Sequence, residues 1–391
     1  MMNEQKVPQL RFSGFEDEWE EKEIKSFISD FTVKNDKTKK YPILTSSRQG
    51  IESQEEHFGN IQQHDTTDYN VIPNGYCTYR NRSDDYSFVF NVNKLGYTGI
   101  VSKFYPVFTF YDDNTHFITE DLNSNPKLIR DIAMSAIGTG QKVLSYNDFK
   151  ELKILKPTLK EQQKIGSFLS KIDSLIQAKT QKLECLKCVK KSLLQKCFPK
   201  DGEKVPQMRF EGFSGNWEEK KLGEICDITM GQSPDGSTYS EKPSTYILVQ
   251  GNADMKDGFV CPRVWTTQKT KCAYKGDLIF SVRAPVGEVG KTEFDVVIGR
   301  GVASIRGNEF IFQCLKKMNE FGYWDSISCG STFESINSDG LRNAIVKIPS
   351  INEQQKIGQF FSKYDSVISL HQKEIDNLQT IKKSLLQKMF V

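Results

Sequence analysis

The sequence predicts a mixed α/β (α+β) chain built as a tandem repeat, two globular domains each followed by one long helix. Two duplications and one pattern carry that prediction. The stretches 158–198 and 350–390 share the blocks EQQKIG and KKSLLQK, both displaced by 192 residues. VPQLRFSGFEDEWEEK at 7–22 recurs as VPQMRFEGFSGNWEEK at 205–220, an offset of 198. Between these anchors, apolar runs cut by Gly, Asn and Asp turns (SFVFNV, YPVFTFY, TYILVQG, DLIFSVR, DVVIG) read as short strands. The domain boundaries fall at 1–157, 158–200, 201–349 and 350–391.

Taken in order, each half opens on the same packing unit, Arg11, Phe12, Phe15 and Trp19 in one and Arg209, Phe210, Phe213 and Trp217 in the other. Two weaker echoes follow. Gly75 precedes a strand-like run and Arg82 as Gly276 precedes one and Arg283, and Gly99-Ile100-Val101-Ser102 resembles Gly301-Val302-Ala303-Ser304. Short helices are expected over 125–137 and 309–326. Each long helix opens on a capping box, Thr158-x-x-Glu161 and Ser350-x-x-Glu353. Pro157 and Pro349 keep the preceding chain extended, and Pro199 stops the first helix. Forty residues make a rod of roughly 60 Å.

The apolar stripe of each rod predicts helix-helix packing through Ile165, Phe168, Ile172, Leu175, Leu186 and Leu193 in one and Ile357, Phe360, Tyr364, Val367, Leu378 and Leu385 in the other. Both stripes break at mid-length, at Lys179 and Lys182 and at His371 and Glu374. Parallel and antiparallel pairing both bring these middles together, so the direction stays open.

Composition narrows the function. No apolar run approaches the roughly 18 residues of a membrane span, and the polar MMNEQKVPQLRF start is unlike a signal peptide. Nine cysteines at irregular spacing point to a reducing cytoplasm. The helical stretches are basic, with ten Lys against three acids in 158–200 and six against four in 351–391, so both globular parts are acidic overall. A nucleic-acid surface on them must be a local basic face.

Catalytic patterns are missing. The segment ending Gly290-Lys291-Thr292 has Pro285 where a phosphate loop needs glycine, and a strand-like run follows it. Neither an Asn-Pro-Pro-aromatic methyltransferase signature nor G-x-G-x-x-G is present. Cys185-x-x-Cys188 lies mid-helix without a second pair and is expected to be two buried thiols; His57, His64, His116 and His371 form no visible cluster, so no metal site is expected.

Two modules joined by a rigid spacer suit the reading of two DNA half-sites, the spacer setting the unread gap. Base reading needs forked or paired donors. The DNA-binding candidates are Arg80, Arg82, Lys103, Gln141 and Lys142 in the first half and Gln232, Ser233, Arg263, Arg283, Lys291 and Arg300 in the second.

The duplicated PQLRFSGF…W and PQMRFEGF…W blocks, the paired EQQKIG and KKSLLQK helices, and MGQSPDGSTYSE followed by GDLIFSVRAPVG resemble the specificity subunit of a type I restriction-modification system. The resemblance covers essentially the whole chain. It implies two target recognition domains separated by antiparallel helices, a pseudo-twofold internal repeat reading a bipartite site in double-stranded DNA. It implies two modification (methyltransferase) subunits and restriction/motor subunits as partners, with S-adenosylmethionine, ATP and Mg bound there, none of them by this chain. The chain would be non-catalytic, cytoplasmic and free of membrane. Two other readings stay open: a coiled-coil scaffold with protein-binding heads, and a stand-alone DNA-acting enzyme using the Gly290-Lys291-Thr292 loop.

Overall fold

The computed structural model describes residues 6–36, 41–59, 65–111, 114–327 and 335–391. His64 lies outside them. The chain divides into two compact units, 1–178 with 375–391 and 179–374, so each unit owns half of each long helix.

Unit 1 is organised by strands β1 (Ile28–Asp30), β2 (Asn70–Ile72), β3 (Cys77–Tyr79), β4 (Phe90–Val92), β5 (Gly99–Val101) and β6 (Val107–Phe110). Four of them form an antiparallel sheet in the order β1-β6-β3-β4. β3 is buried along its whole length, as befits a central strand, and the Tyr79 Oη at its end donates to Leu144 O at 3.2 Å. β2 and β5 pair antiparallel in a second layer, and Ile43 adds a parallel bridge to Ile100. Helix α1 (Thr115–Ser124) follows, its first turn capped by the Asn114 side chain, and α2 (Leu159–Cys197) leaves the unit.

Unit 2 repeats the plan with β7 (Asp227–Met230), β8 (Cys272–Ala273), β9 (Leu278–Ser281), β10 (Val289–Lys291), β11 (Val296–Ile298), β12 (Val302–Arg306) and helix α3 (Glu309–Glu320), capped by Asn308. Its first sheet runs β7-β12-β9-β10, the order of unit 1, and continues into Phe259–Val260 and Met255–Lys256. β8 pairs antiparallel with β11, and Tyr246–Val249 lies parallel beside β11. α4 (Ile351–Met389) then returns to unit 1.

This equivalence settles both echoes. Gly75 and Gly276 occupy matching turns, with φ of +85° and +95° and their N–H groups donated to Asn93 O and Thr292 O. The other echo is misaligned. Gly99–Val101 is β5, whose counterpart is β11, whereas the run after Gly301 is β12, counterpart of β6. The expected helix over 125–137 is Pro126–Ser135, the one over 309–326 breaks after Glu320, and α1 is an addition the apolar pattern did not show.

The twin blocks brace the helix starts. Glu161 does not close a capping box; its carboxylate, 1% exposed, takes bidentate bonds from Arg11 Nε and Nη2 at 2.7 and 2.8 Å. Glu353 takes the same pair from Arg209 at 2.8 and 2.7 Å. The next residue secures the entry, Gln162 Nε2 donating to Pro157 O at 2.9 Å and Gln354 Nε2 to Pro349 O at 3.0 Å. The glycine of EQQKIG is a contact: a Cβ on Gly166 would stand 2.2 Å from Asn114 Oδ1, and one on Gly358 2.9 Å from Glu309 Cβ. Trp19 packs on Phe390 and Trp217 on Phe198, edge to face at 6.4 and 5.8 Å.

The helices are antiparallel. In unit 1, Asp173 of α2 meets Lys382 near the end of α4 at 2.7 Å; in unit 2, Lys190 meets Asp365 at 2.6 Å and Lys179 meets Glu374 at 2.8 Å. Ile165 and Ile357 are buried as expected, and Phe168, Ile172, Leu186, Leu193, Phe360, Tyr364, Leu378 and Leu385 are half-buried. Leu175 and Val367 differ, at 45% and 42% exposed. The stripe serves two neighbours, since Phe168 and Phe360 pack on Phe12 and Phe210, and a straight helix drifts by about 20° per heptad. Cys185 and Cys188 are exposed on α2, not buried. No helix among the described residues is long and apolar enough to cross a membrane.

Two measurements test this frame. Arg11→Ala leaves the Glu161 carboxylate buried without its partner and should destabilise unit 1 by roughly 3–5 kcal/mol in chemical denaturation, with Arg209→Ala doing the same in unit 2; losses under about 1 kcal/mol, the range of exposed pairs, would refute the role given to these arginines. Asp121, buried in α1, has its carboxyl pushed up to about 7 by burial, against an opposing bond from Asn125 Nδ2 at 2.9 Å. A raised folded pKa means the folded state holds the proton more tightly. Stability contributed at low pH is therefore lost as pH rises through the ordinary carboxylate range to about 7. Asp121→Asn should raise the melting temperature more at pH 8 than at pH 5; an equal shift at both would contradict the assignment.

Candidate nucleic-acid interface

In each unit three loops meet at one end of the first sheet: the segment after β1 or β7, the segment after β3 or β9, and the β5–β6 or β11–β12 turn. Their backbones are tied alike, Phe31 N–H to Val107 O in unit 1 and Gly231 N–H to Val302 O in unit 2, both 3.0 Å.

In unit 1 the loop after β3 carries Arg80 and Arg82, both exposed. Arg82–Ser83 pairs antiparallel with Lys142–Val143, and Leu144 N–H donates to Asn81 O at 3.0 Å, which brings Gln141 and Lys142 alongside. Gln141 Nε2 donates to Asp84 Oδ1 at 3.2 Å, and Lys142 donates to Gly138 O with its ammonium 4.6 Å from the Tyr86 ring centre. The β5–β6 turn supplies Lys103 and Phe104. Lys103 lies 3.6 Å from Asp68, and the Arg82 guanidinium sits 4.6 Å over the Phe104 ring. All five candidates of this half thus converge. Arg48, at the tip of the Leu44–Ser47/Gly50–Ser53 hairpin and bonded to Asp85, lines a cavity of about 270 Å³ together with Arg80 and Arg82.

In unit 2, Gln232 N–H donates to Ile298 O at 2.8 Å, and Ser233 Oγ accepts from Arg300 N–H at 3.1 Å. Val282 N–H reaches Gly301 O at 2.9 Å, so exposed Arg283 stands beside exposed Arg300. Glycine is required here: a Cβ on Gly301 would lie 2.0 Å from Gln250 O, and one on Gly231 2.1 Å from Gly299 O. Arg263 is oriented by buried Asp254 at 3.1 Å, which also accepts from Gln250 N–H at 2.7 Å.

Lys291 does not join them. It ends β10 rather than sitting in a turn, its ammonium bonded to Glu309 and 4.4 Å from the Phe312 ring centre. The Gly290-Lys291-Thr292 segment therefore opens no helix, and its lysine is engaged.

Sequence reasoning missed Arg48, Tyr86 and Phe104. The signal was a cation beside aromatics in Lys103-Phe104-Tyr105 and a cation in a turn at Arg48-Gln49-Gly50. It also saw no histidine cluster, yet His116 lies 3.9 Å from Glu120 and 3.5 Å from Asp173, three donor side chains on two helices. Lys382 stands between those carboxylates at 3.0 and 2.7 Å, so a cation already neutralises them. Burial, then the nearby Lys94 charge, pushes His116 down to about 4, a neutral ring.

Against known proteins, the sequence model of the family described as type I restriction modification DNA specificity domain matches residues 16–187 and 214–380. A protein of Methanocaldococcus jannaschii assigned as the MjaX type I restriction enzyme specificity subunit is 29% identical over 257 residues, covering 63% of this chain and 60% of the relative. The chain thus spans less than two thirds of that relative's length. The S subunit of a type I restriction-modification system from M. genitalium shares the fold at a TM-score of 0.67 and 16% identity, over 98% of this chain and 99% of that one. A chain from work on complex assembly and conformational transition of the type I R-M system gives a TM-score of 0.54 at 21% identity, over 95% and 97%.

Proposed function

Since the chain belongs to the type I restriction modification DNA specificity family, we propose that it is the DNA-reading subunit of such a system, recognising a bipartite site in double-stranded DNA. The observation that carries this reading is the pair of matched loop clusters. Equivalent sheet ends hold Arg82, Lys103 and Phe104 in unit 1 but Arg283 and Arg300 in unit 2. One scaffold with two sets of donors suits two half-sites of different sequence. Arg forks and paired amide donors are the groups that distinguish guanine and adenine edges in the major groove.

Bond-making belongs to partners in this proposal. Two modification subunits would bind S-adenosylmethionine and methylate adenine, and restriction/motor subunits would use ATP and Mg. This chain supplies no catalytic group and works where the host DNA lies, in the cytoplasm. The chemistry here supports that division, because the catalytic-looking lysine is committed to Glu309 and the carboxylate cluster to Lys382.

The test is a map of methylated adenines in a genome with and without this chain, its modification partner present in both. A two-part motif that vanishes with the chain is the expected result; an unchanged pattern would sink the proposal. Within it, Arg283→Ala should relax preference at one position of one half-site, costing on the order of 1–3 kcal/mol, and a uniform loss on all sequences would make Arg283 a phosphate contact instead. Lys291→Ala should leave the motif unaltered, since its charge faces Glu309.

A further inference from the structure

Arg82 is held in a way that no other arginine of the two clusters shares. Arg48 and Arg263 are steadied by carboxylates, Asp85 and Asp254. No carboxylate among the described residues pairs with Arg82, whose guanidinium lies instead over the Phe104 ring at 4.6 Å. Phe104 is itself 43% exposed, an aromatic ring left at the surface with Arg82 nearest its face and the Lys103 ammonium farther off at 5.6 Å.

Both backbones are fixed before anything binds. Arg82 pairs with Val143 across the two-stranded ladder. Phe104 is the third residue of a turn closed by Tyr105 N–H to Ser102 O at 2.9 Å, and Asn70 Nδ2 secures Tyr105 O at 2.8 Å. A guanidinium stacked on a ring keeps its N–H donors free at the edge, in one plane. That is the geometry a guanine O6/N7 edge requires. A carboxylate partner would occupy the same donors, so a place over the Phe104 ring holds Arg82 without consuming its fork.

We propose that Phe104 is a positioning residue that presents Arg82 to a guanine edge in the half-site contacted by unit 1; this rests on the DNA-reading function proposed above. Phe104 makes the plane, and Arg82 makes the base contact. The matching turn of unit 2 carries Arg300 between two glycines, so the device is particular to unit 1.

The experiment measures methylation by the full chain with its modification partner on substrates varied one base pair at a time. Arg82→Ala should lower discrimination for guanine at one position by on the order of tenfold or more. Phe104→Leu, which keeps apolar bulk and loses the ring, should relax that same position, Phe104→Trp should restore it, and the double variant should add little to Arg82→Ala. Arg82→Lys should also fail, because an ammonium is not a fork. The inference is overturned if Phe104→Leu leaves the motif intact, relaxes a different position from Arg82→Ala, or weakens all sequences alike. A wild-type complex without any fixed motif would overturn the DNA-reading proposal itself, a distinct result.

Discussion

Lysine–aspartate pairs set the register of α2 against α4 within each unit, and the elements packed on the helices take their place from that register. Lys382 meets Asp173 and Lys190 meets Asp365, the same two positions of the repeat used in opposite directions. Lys190 is 8% exposed at its side chain, so its charge has little water to fall back on. A half-buried ion pair adds little net stability, but breaking one is expensive because the other charge is stranded. A slip of one turn would therefore strand Lys190 and Asp365 in unit 2 and Lys382 and Asp173 in unit 1. Leucine and isoleucine seams tolerate such slips far better. Specificity of alignment is thus carried by the polar groups, and the apolar stripe supplies the adhesion.

Register reaches the loop clusters through a short chain of contacts. Lys382 also holds Glu120 on α1, and Gln313 on α3 donates to Asp365 at 2.8 Å. α1 and α3 follow directly on β6 and β12, the strands whose leading turns carry Phe104 and Arg300. The scaffold is the same in both units, and the groups at its sheet ends differ. Acidic overall charge on the globular parts is compatible with a cationic face because many acids are local. Asp84, Asp85 and Asp254 each hold a donor of a cluster, restraining side chains that would otherwise sample many rotamers.

Much of this was legible in the sequence, and the part that was not shares one cause. Long helices, duplicated blocks and the Gly75/Gly276 turns are written locally, in caps, periodicity and repeated words. Pairings between distant segments leave no such trace. Glu161 reads as a capping residue because its neighbour Thr158 is visible in the sequence, whereas Arg11, its true partner, lies 150 positions away. Lys291 reads as a loop cation until Glu309 is brought beside it by the passage from β12 into α3. The middle of the helices defeated direction for a different reason: Lys179 and Glu374 meet either way, and only Asp173 and Asp365, off the apolar stripe, distinguish the two.

The two clusters also show how one frame can hold different donors without refolding. At the β11–β12 turn of unit 2, Arg300 is positioned by its main chain: Gly301 permits a backbone approach to Gln250 that a Cβ would block, and Ser233 accepts from the Arg300 N–H. At the matching turn of unit 1 the chain is held by Asn70 and Ser102, and the cation arrives from the neighbouring loop onto an aromatic face. Neither solution draws on the buried strands beneath, since β3 and β9 are packed along their whole length whatever the loops carry. Side chains at the sheet end can therefore change identity at the cost of local turn geometry alone. Separation of that kind, a polar-keyed helix pair fixing the frame of each unit and independent turns fixing the donors, lets the groups at the sheet end change while the scaffold beneath them stays as it is built.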